Sequence, residues 1–162
     1  MQVDIYTDGA CIGNCKTSSY SPGGWGWVAY FNAREFKTAC GGEAKSTNSR
    51  MEITAILKAL EWLASSKTIG TATIYSDNKY CVDTLGEPIL TGWIARWCRF
   101  NPPFKGKAHP DLWARISELV ETLTARSIKV KIVWVKAHSG IVGNERADDL
   151  AEEGMLPYTT SK

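Results

Sequence analysis

Two segments of the chain end in nearly the same four residues, Ile5-Tyr6-Thr7-Asp8 and Ile74-Tyr75-Ser76-Asp77. Alternating apolar and polar residues in the first segment predict a β-strand. An acidic residue at the carboxyl end of a strand points into the crevice where open α/β sheets bind ligands. If the two strands are parallel neighbours, we expect Asp8 and Asp77 to converge and to need a divalent cation between them. Each aspartate alone also fits a common alternative, a hairpin turn at the first and a helix cap at the second.

Composition indicates one globular domain spanning residues 1–162, because 44% of the residues are hydrophobic. No apolar run approaches roughly 18 residues, so we expect no membrane span and no membrane partner. Strand-like residues directly follow Met1, which leaves no room for a signal peptide. Five cysteines without a CxxC pair are typical of reduced thiols, which predicts a cytoplasmic protein. The net charge of +2 is too small by itself to indicate a nucleic-acid partner.

The order of the predicted elements indicates an α/β fold, a five-stranded mixed sheet with helices on both faces. Three strands over residues 3–8, 25–31 and 35–40 would form an antiparallel meander. A helix over 48–66 separates them from a strand over 72–76, which can return parallel to the first strand through a right-handed crossover. The remaining predicted elements are two short helices over 78–85 and 89–98, a helix over 111–126, a strand over 129–135 and a last helix over 144–153. Gly154 is predicted to end that helix, leaving residues 155–162 as a C-terminal tail.

Two further acidic residues are predicted at the same edge of the sheet. Glu52 is expected in the first turn of the long helix, bordering its apolar face, and Asp148 in the first turn of the last helix. Both positions have an alternative explanation, since an acid in a first helical turn interacts favourably with the helix dipole and stabilises the helix by about 0.3–1 kcal/mol. Neither position alone distinguishes a metal ligand from a surface acid.

Four blocks of sequence together resemble ribonuclease H, in its bacterial type-one branch. The blocks are Tyr6–Asn14, Thr47–Glu52, Tyr75–Tyr80, and Trp134–Gly140 continuing to Asn144–Ala151. They occur in the family's order and cover the chain nearly end to end. The resemblance implies an endonuclease that hydrolyses the RNA strand of RNA–DNA hybrids and leaves 5′-phosphate and 3′-hydroxyl ends. It also implies two Mg²⁺ ions about 3.5–4 Å apart at the scissile phosphate, with Mn²⁺ as a possible substitute.

The same resemblance assigns roles to individual residues. Asp8 would bridge both metal ions, Asp148 would complete the site that activates the attacking water, and Glu52 with Asp77 would complete the leaving-group site. His138 would assist water activation or product release, and its alternative is a surface residue in a turn. Glu145 resembles a family acid near the same metal, although a first-turn dipole acid explains it equally well.

A basic segment over residues 93–109 resembles the family's protrusion that touches the DNA strand. It contains no acidic residue and four cations, Arg96, Arg99, Lys105 and Lys107. Aromatic residues are interleaved with these cations, a combination that suits a nucleic-acid backbone. We expect Trp93 on the binding surface and Trp97, one helical turn on, in the core. Cys98–Pro103 stands where family members often carry consecutive cations, which implies weaker and more salt-sensitive binding.

Three further positions, Asn14, Thr47 and Asn48, match family residues that contact the hybrid. The stretch from Cys15 to Pro22 is longer than the family pattern. Two alternatives to the hybrid-specific nuclease are a DNA-acting enzyme of the integrase or resolvase type and a hybrid-binding module without catalysis. The first would lack the Asn-Ser-Arg-Met-Glu block, and the second would lack a carboxylate. We expect a monomer that needs no obligate protein partner.

Overall fold

The computed structural model describes residues 1–14 and 21–159, with Asn14 described by its backbone only. A five-stranded sheet with the order β3-β2-β1-β4-β5 forms the centre of the molecule. The strands are β1 Gln2–Cys11, β2 Ser21–Phe31, β3 Arg34–Ser46, β4 Thr71–Ser76 and β5 Lys129–Trp134. The helices are α1 Asn48–Ser65, α2 Lys79–Leu85, α3 Ile94–Trp97, α4 Pro110–Ala125 and α5 Val142–Thr159. None of the helices in the described residues is long and apolar enough to cross a membrane.

Parallel pairing between β1 and β4 aligns the two similar segments residue for residue. Ile5 pairs with Ile74, Tyr6 with Tyr75, and Thr7 with Ser76. The meander β1-β2-β3 is antiparallel, and β5 pairs parallel to β4. The predicted α/β fold with a mixed sheet is therefore confirmed. Strand β1 continues beyond Asp8 and pairs with β2 as far as Cys11, so the hairpin-turn alternative for Asp8 is wrong.

The main hydrophobic core lies between one face of the sheet and helices α1 and α4. Its fully buried members include Ile5, Ile56, Leu60, Ile74 and Trp113. Helix α5 covers the opposite face, where Ala147 and Leu150 pack against Val28. Since both faces are covered, the sheet edge at the carboxyl ends of β1 and β4 remains as the place for a site.

Two predicted helices differ from the structure. The helix predicted over 89–98 is wrong except at Ile94–Trp97, because Leu90 has a φ of 72° and its N–H donates to Leu85 O in a turn. The last helix continues past Gly154 to Thr159, so the predicted end at Glu153 is also wrong. Gly154 serves close packing instead, since a Cβ there would lie 2.3 Å from the carbonyl oxygen of Gly41.

Candidate active site

Three carboxylates meet at the edge of the sheet where β1 and β4 lie side by side. Asp8 lies in β1, Asp77 directly follows the last residue of β4, and Glu52 comes from α1. One oxygen of each side chain lies within 4.8 Å of the other two. The predicted convergence of Asp8 and Asp77 is therefore present, and Glu52 joins it. All three donors are hard oxygen ligands of the kind that Mg²⁺ and Mn²⁺ prefer.

Close contact between β1 and α1 brings Glu52 into this group. A Cβ at Gly9 would lie 2.4 Å from the backbone nitrogen of Glu52, so only glycine permits this approach. Thr47 caps the helix by accepting a hydrogen bond of 3.2 Å from Arg50 N. Glu52 therefore lies in the second turn, and the predicted first-turn position was wrong. The helix-dipole alternative loses its basis, because the unpaired N–H groups belong to the first turn.

Burial makes this cluster electrostatically costly without a cation. Asp8 is 6% exposed and Glu52 7% exposed. Burial, reinforced by the charge of Asp77, raises the pKa of Asp8 to about 7. Burial and the neighbouring Asp8 raise the pKa of Glu52 well above its usual range. Glu52 Oε1 is buried and has no hydrogen-bond partner among the described residues, which leaves a ligand atom available for a metal ion.

Two hydrogen bonds hold Asp77, one at the main chain and one at the carboxylate. Trp134 Nε1 donates to the carbonyl oxygen of Asp77 at 3.2 Å, and Asn144 Nδ2 donates to Asp77 Oδ2 at 3.1 Å. Burial raises the pKa of Asp77, and the hydrogen bond from Asn144 opposes that rise. The cap of α2 is Asn78, whose Oδ1 accepts from Cys81 N at 3.1 Å. The helix-cap alternative therefore applies to Asn78 and leaves Asp77 to the site.

Asp148 faces the same cavity from α5. The cavity has a volume of about 450 Å³, and it is lined by Asp148 together with the three clustered acids. The negative charge of Asp148 contributes to raising the pKa of both Asp8 and Asp77. Because α5 begins at Val142, Asp148 lies in the second turn, and the predicted first-turn position was wrong. Its helix-dipole alternative therefore fails, whereas Glu145 does lie in the first turn.

His138 and Asn48 line the rim of this cavity. His138 is exposed in a turn with a φ of 55°, and its imidazole lowers the pKa of Asp77. Thr47 is half-buried beside Asn48, where it caps α1. The side chain of Asn14 and residues 15–20 of the longer stretch lie outside the described part of the chain.

The basic segment 93–109 divides into a buried and an exposed set. Trp97 and Phe104 are each 6% exposed and belong to the core, as expected for Trp97. Trp93 is 48% exposed. The cations Arg96, Arg99 and Lys105 are exposed, whereas Lys107 Nζ lies 4.9 Å from the centre of the Trp97 ring.

Sequence reasoning gave no role to two residues that contact Asp77 directly, Asn144 and Trp134. A signal for Asn144 was present, since it precedes Asp148 by four residues and therefore lies on the same face of a helix. No comparable signal exists for Trp134, which looks like an ordinary strand residue.

The family model for RNase H matches residues 1–156 of the chain. Ribonuclease H of Parvibaculum lavamentivorans is 39% identical over 163 residues, covering 99% of this chain and 96% of that protein. The chain is also similar to LC9-RNase H1, whose crystal structure is described as that of a type 1 RNase H with the type 2 active-site motif. The two sequences are 25% identical, and the structures superpose with a TM-score of 0.77 over 98% of this chain and 74% of that one. LC11-RNase H1, solved in complex with an RNA/DNA hybrid, shares the fold at 18% identity and a TM-score of 0.64, covering 96% and 97% of the two chains.

Proposed function

The chain belongs to the RNase H family, whose activity is cleavage of the RNA strand of RNA–DNA hybrids, and we propose that it performs this hydrolysis with two divalent metal ions. The products would carry 5′-phosphate and 3′-hydroxyl ends. The observation that carries the proposal is the group of three carboxylates, Asp8, Glu52 and Asp77, whose oxygens lie within 4.8 Å of one another.

The residues present fit a pair of Mg²⁺ ions, with Mn²⁺ as a substitute. The donors are carboxylates, and one buried oxygen of Glu52 lacks a partner among the described residues. Asp8 and Glu52 have raised pKa values because their charges are buried together, and a cation would relieve that cost. We propose that Asp8 serves both ions, that Glu52 and Asp77 complete one site, and that Asp148 completes the other.

Bound divalent ions would supply Lewis-acid polarisation of the scissile phosphate and a water of lowered pKa. The protein's own residues orient and protect this chemistry. Burial of Asp8 and Glu52 excludes water from beneath the metal site and strengthens its electrostatics. We propose that His138, which is exposed and lines the cavity, assists water activation or product release.

We propose that the protein contacts the hybrid through two separate surfaces. Asn48, which lines the cavity, would contact the duplex together with Thr47 and Asn14, since all three match family positions that contact the hybrid. The DNA strand would lie on the exposed part of segment 93–109. That contact surface would consist of the exposed Trp93, Arg96, Arg99 and Lys105, with the partly buried Lys107 beside them. Cations along a phosphate backbone give binding that weakens as salt rises.

Supporting features favour a cytoplasmic monomer that needs no obligate protein partner. Cys40, Cys81 and Cys98 are thiols outside any disulfide, as is usual in a reducing compartment. The large exposed apolar side chains are spread over several elements of the described structure, for example Phe36 in β3 and Val142 in α5. They do not suggest a single dimerisation stripe.

The test is cleavage of a hybrid whose RNA and DNA strands carry different labels. The wild-type protein should shorten only the RNA strand, and a chelator should stop the reaction. Asp77→Asn should lower the rate by roughly 100-fold or more, since it removes a ligand of the proposed metal site. Asp149→Asn is the matched control, because Asp149 is an exposed acid on α5 outside the cavity lining. Cleavage of the DNA strand, or full activity of Asp77→Asn, would overturn the proposal.

A further inference from the structure

We propose that Asn144 is a positioning residue, which orients the Asp77 carboxylate and fixes the start of α5, and therefore Asp148, against the end of β4. This inference rests on the proposed function, since it concerns how two of its metal ligands are held. It adds a residue that does not itself ligate metal or touch the substrate.

The first observation is the contact itself. Asn144 is 5% exposed, and its Nδ2 donates to Asp77 Oδ2 at 3.1 Å. A carboxylate among other carboxylates is pushed away by their charge, so its orientation must be imposed by a donor. A hydrogen bond to one oxygen restricts rotation of the carboxylate plane. The buried amide of Asn144 is such a donor, and it brings no charge of its own into the cluster.

The second observation is the helical spacing between Asn144 and Asp148. Four residues separate them, so their side chains lie one above the other on the same face of α5. Both residues line the cavity that contains the carboxylate cluster. A bond between Asn144 and Asp77 therefore sets the rotation and axial position of α5 at the level of Asp148. The two acids come from elements that are distant in sequence, and Asn144 links them directly.

The third observation is the seating of α5 on the sheet next to this bond. A Cβ at Gly143 would lie 2.2 Å from the Tyr6 ring, so the helix backbone rests directly on that ring. Tyr6 in turn stacks on Tyr75, with ring centroids 4.6 Å apart and an interplanar angle of 14°. Tyr75 lies in β4, two residues before Asp77. The glycine thus allows the approach that brings the Asn144 amide within reach of Asp77.

Changes at Asn144 should alter the Asp77 side chain more than its backbone. The main-chain carbonyl of Asp77 is held separately by the indole of Trp134, at 3.2 Å. Loss of the amide would therefore release the carboxylate while the end of β4 stays in place. This separation makes the inference testable without dismantling the site.

The experiment compares Asn144→Asp and Asn144→Ala with the wild type and with Asp149→Asn. Asn144→Asp keeps the shape and replaces the donor with an acceptor, whereas Asn144→Ala removes the donor without adding charge. Mg²⁺ binding is measured by calorimetry on the protein without nucleic acid, and kcat and KM are measured on a hybrid. Both Asn144 variants should lower kcat by about 10- to 100-fold, while KM for the hybrid stays within about twofold. Asn144→Ala, which adds no charge, should also weaken Mg²⁺ binding by about 10-fold or more. Asp149→Asn should match the wild type.

The outcomes separate this inference from the proposed function. If the wild type neither binds Mg²⁺ nor cleaves the hybrid, the proposed function fails, and the inference fails with it. If the wild type does both and the Asn144 variants keep Mg²⁺ affinity and kcat within about twofold, the inference alone fails. A raised KM with unchanged kcat would also overturn it. If only Asn144→Asp fails to fold, Asn144→Ala decides the question, and unfolding of both at room temperature would show a structural role instead.

Discussion

Replacing Asp8 with asparagine should abolish cleavage and yet stabilise the metal-free protein. The backbone N–H of Gly9 donates to Asp8 Oδ1 at 2.9 Å, and asparagine keeps an acceptor oxygen for it. The new NH₂ group can donate toward Glu52, whose buried Oε1 has no partner among the described residues. The substitution therefore removes a repelling charge while it conserves size and hydrogen bonding.

The magnitude follows from the raised pKa of Asp8. Burial first and Asp77 second raise this pKa from 3.8 to about 7. A rise of roughly three pH units at about 1.36 kcal/mol each sets a ceiling of roughly 4 kcal/mol on the free-energy cost of ionising Asp8. The charge of Asp8 also raises the pKa of Glu52, so the two groups do not titrate independently, and we expect a measured gain in unfolding free energy of roughly 1–3 kcal/mol.

The sign of the pH dependence follows from the proton count of the two states. Between the unfolded and folded pKa values the folded state holds a proton that the unfolded state releases, so wild-type stability falls as pH rises through about 7. The advantage of Asp8→Asn should therefore be small near about pH 4 and complete above about pH 7.

The assay is urea unfolding with a chelator, at about pH 5 and about pH 8, with Asp149→Asn as the control. Excess Mg²⁺ at the higher pH should make the wild type more stable than Asp8→Asn, because only the wild type gains binding free energy from the ions. A metal-free Asp8→Asn protein that is less stable than the wild type at about pH 8 would refute the reasoning. An equal difference in unfolding free energy between the two proteins at both pH values would refute it as well.

Four further predictions concern the metal, the β1–α1 contact and the substrate. Mg²⁺ affinity should fall by up to about tenfold per pH unit below about pH 7, because Asp8 must release a proton before it can bind the ion. Calorimetry at several pH values checks this, and an affinity that does not change with pH would contradict it. Gly9→Ala should lower the unfolding free energy by roughly 1–3 kcal/mol or more and lower kcat, since its Cβ would lie 2.4 Å from Glu52 N. Gly70→Ala is the control, because a Cβ at Gly70 would have nothing within 4 Å, and it should leave the unfolding free energy unchanged or slightly raised. Trp93→Ala should raise KM for the hybrid and leave kcat and Tm unchanged, because Trp93 is 48% exposed; a drop in Tm would indicate a core role. Arg99→Ala should lower the salt slope of hybrid binding by about 1, and an unchanged slope would remove Arg99 from the interface.

The strand pairing at the site could be predicted because it depends on local signals. Alternation of apolar and polar residues marks the first strand, and a helix between two strands permits parallel pairing. For this reason the sequence predicts that Asp8 and Asp77 converge. The structure aligns the two similar segments in register, with Tyr6 opposite Tyr75.

Other features could not be predicted because they arise from tertiary contact. Gly154 looks like a helix terminator, and only its packing against Gly41 shows why α5 continues to Thr159. The positive φ of Leu90 interrupts a helix that the apolar pattern favours. Asn144 in the first turn of a helix is equally typical of a surface residue, and only its burial against Asp77 reveals its contact.

Anomalous scattering from Mn²⁺ would test the gathering of the four acids most directly. The crystals would hold wild-type protein with a hybrid whose scissile ribonucleotide is replaced by a deoxynucleotide. We predict two Mn²⁺ peaks about 3.5–4 Å apart, with Asp8 as the shared ligand and Asp148 on one ion only. A hybrid seated in the cavity with no Mn²⁺ within bonding distance of Asp8 would contradict the account.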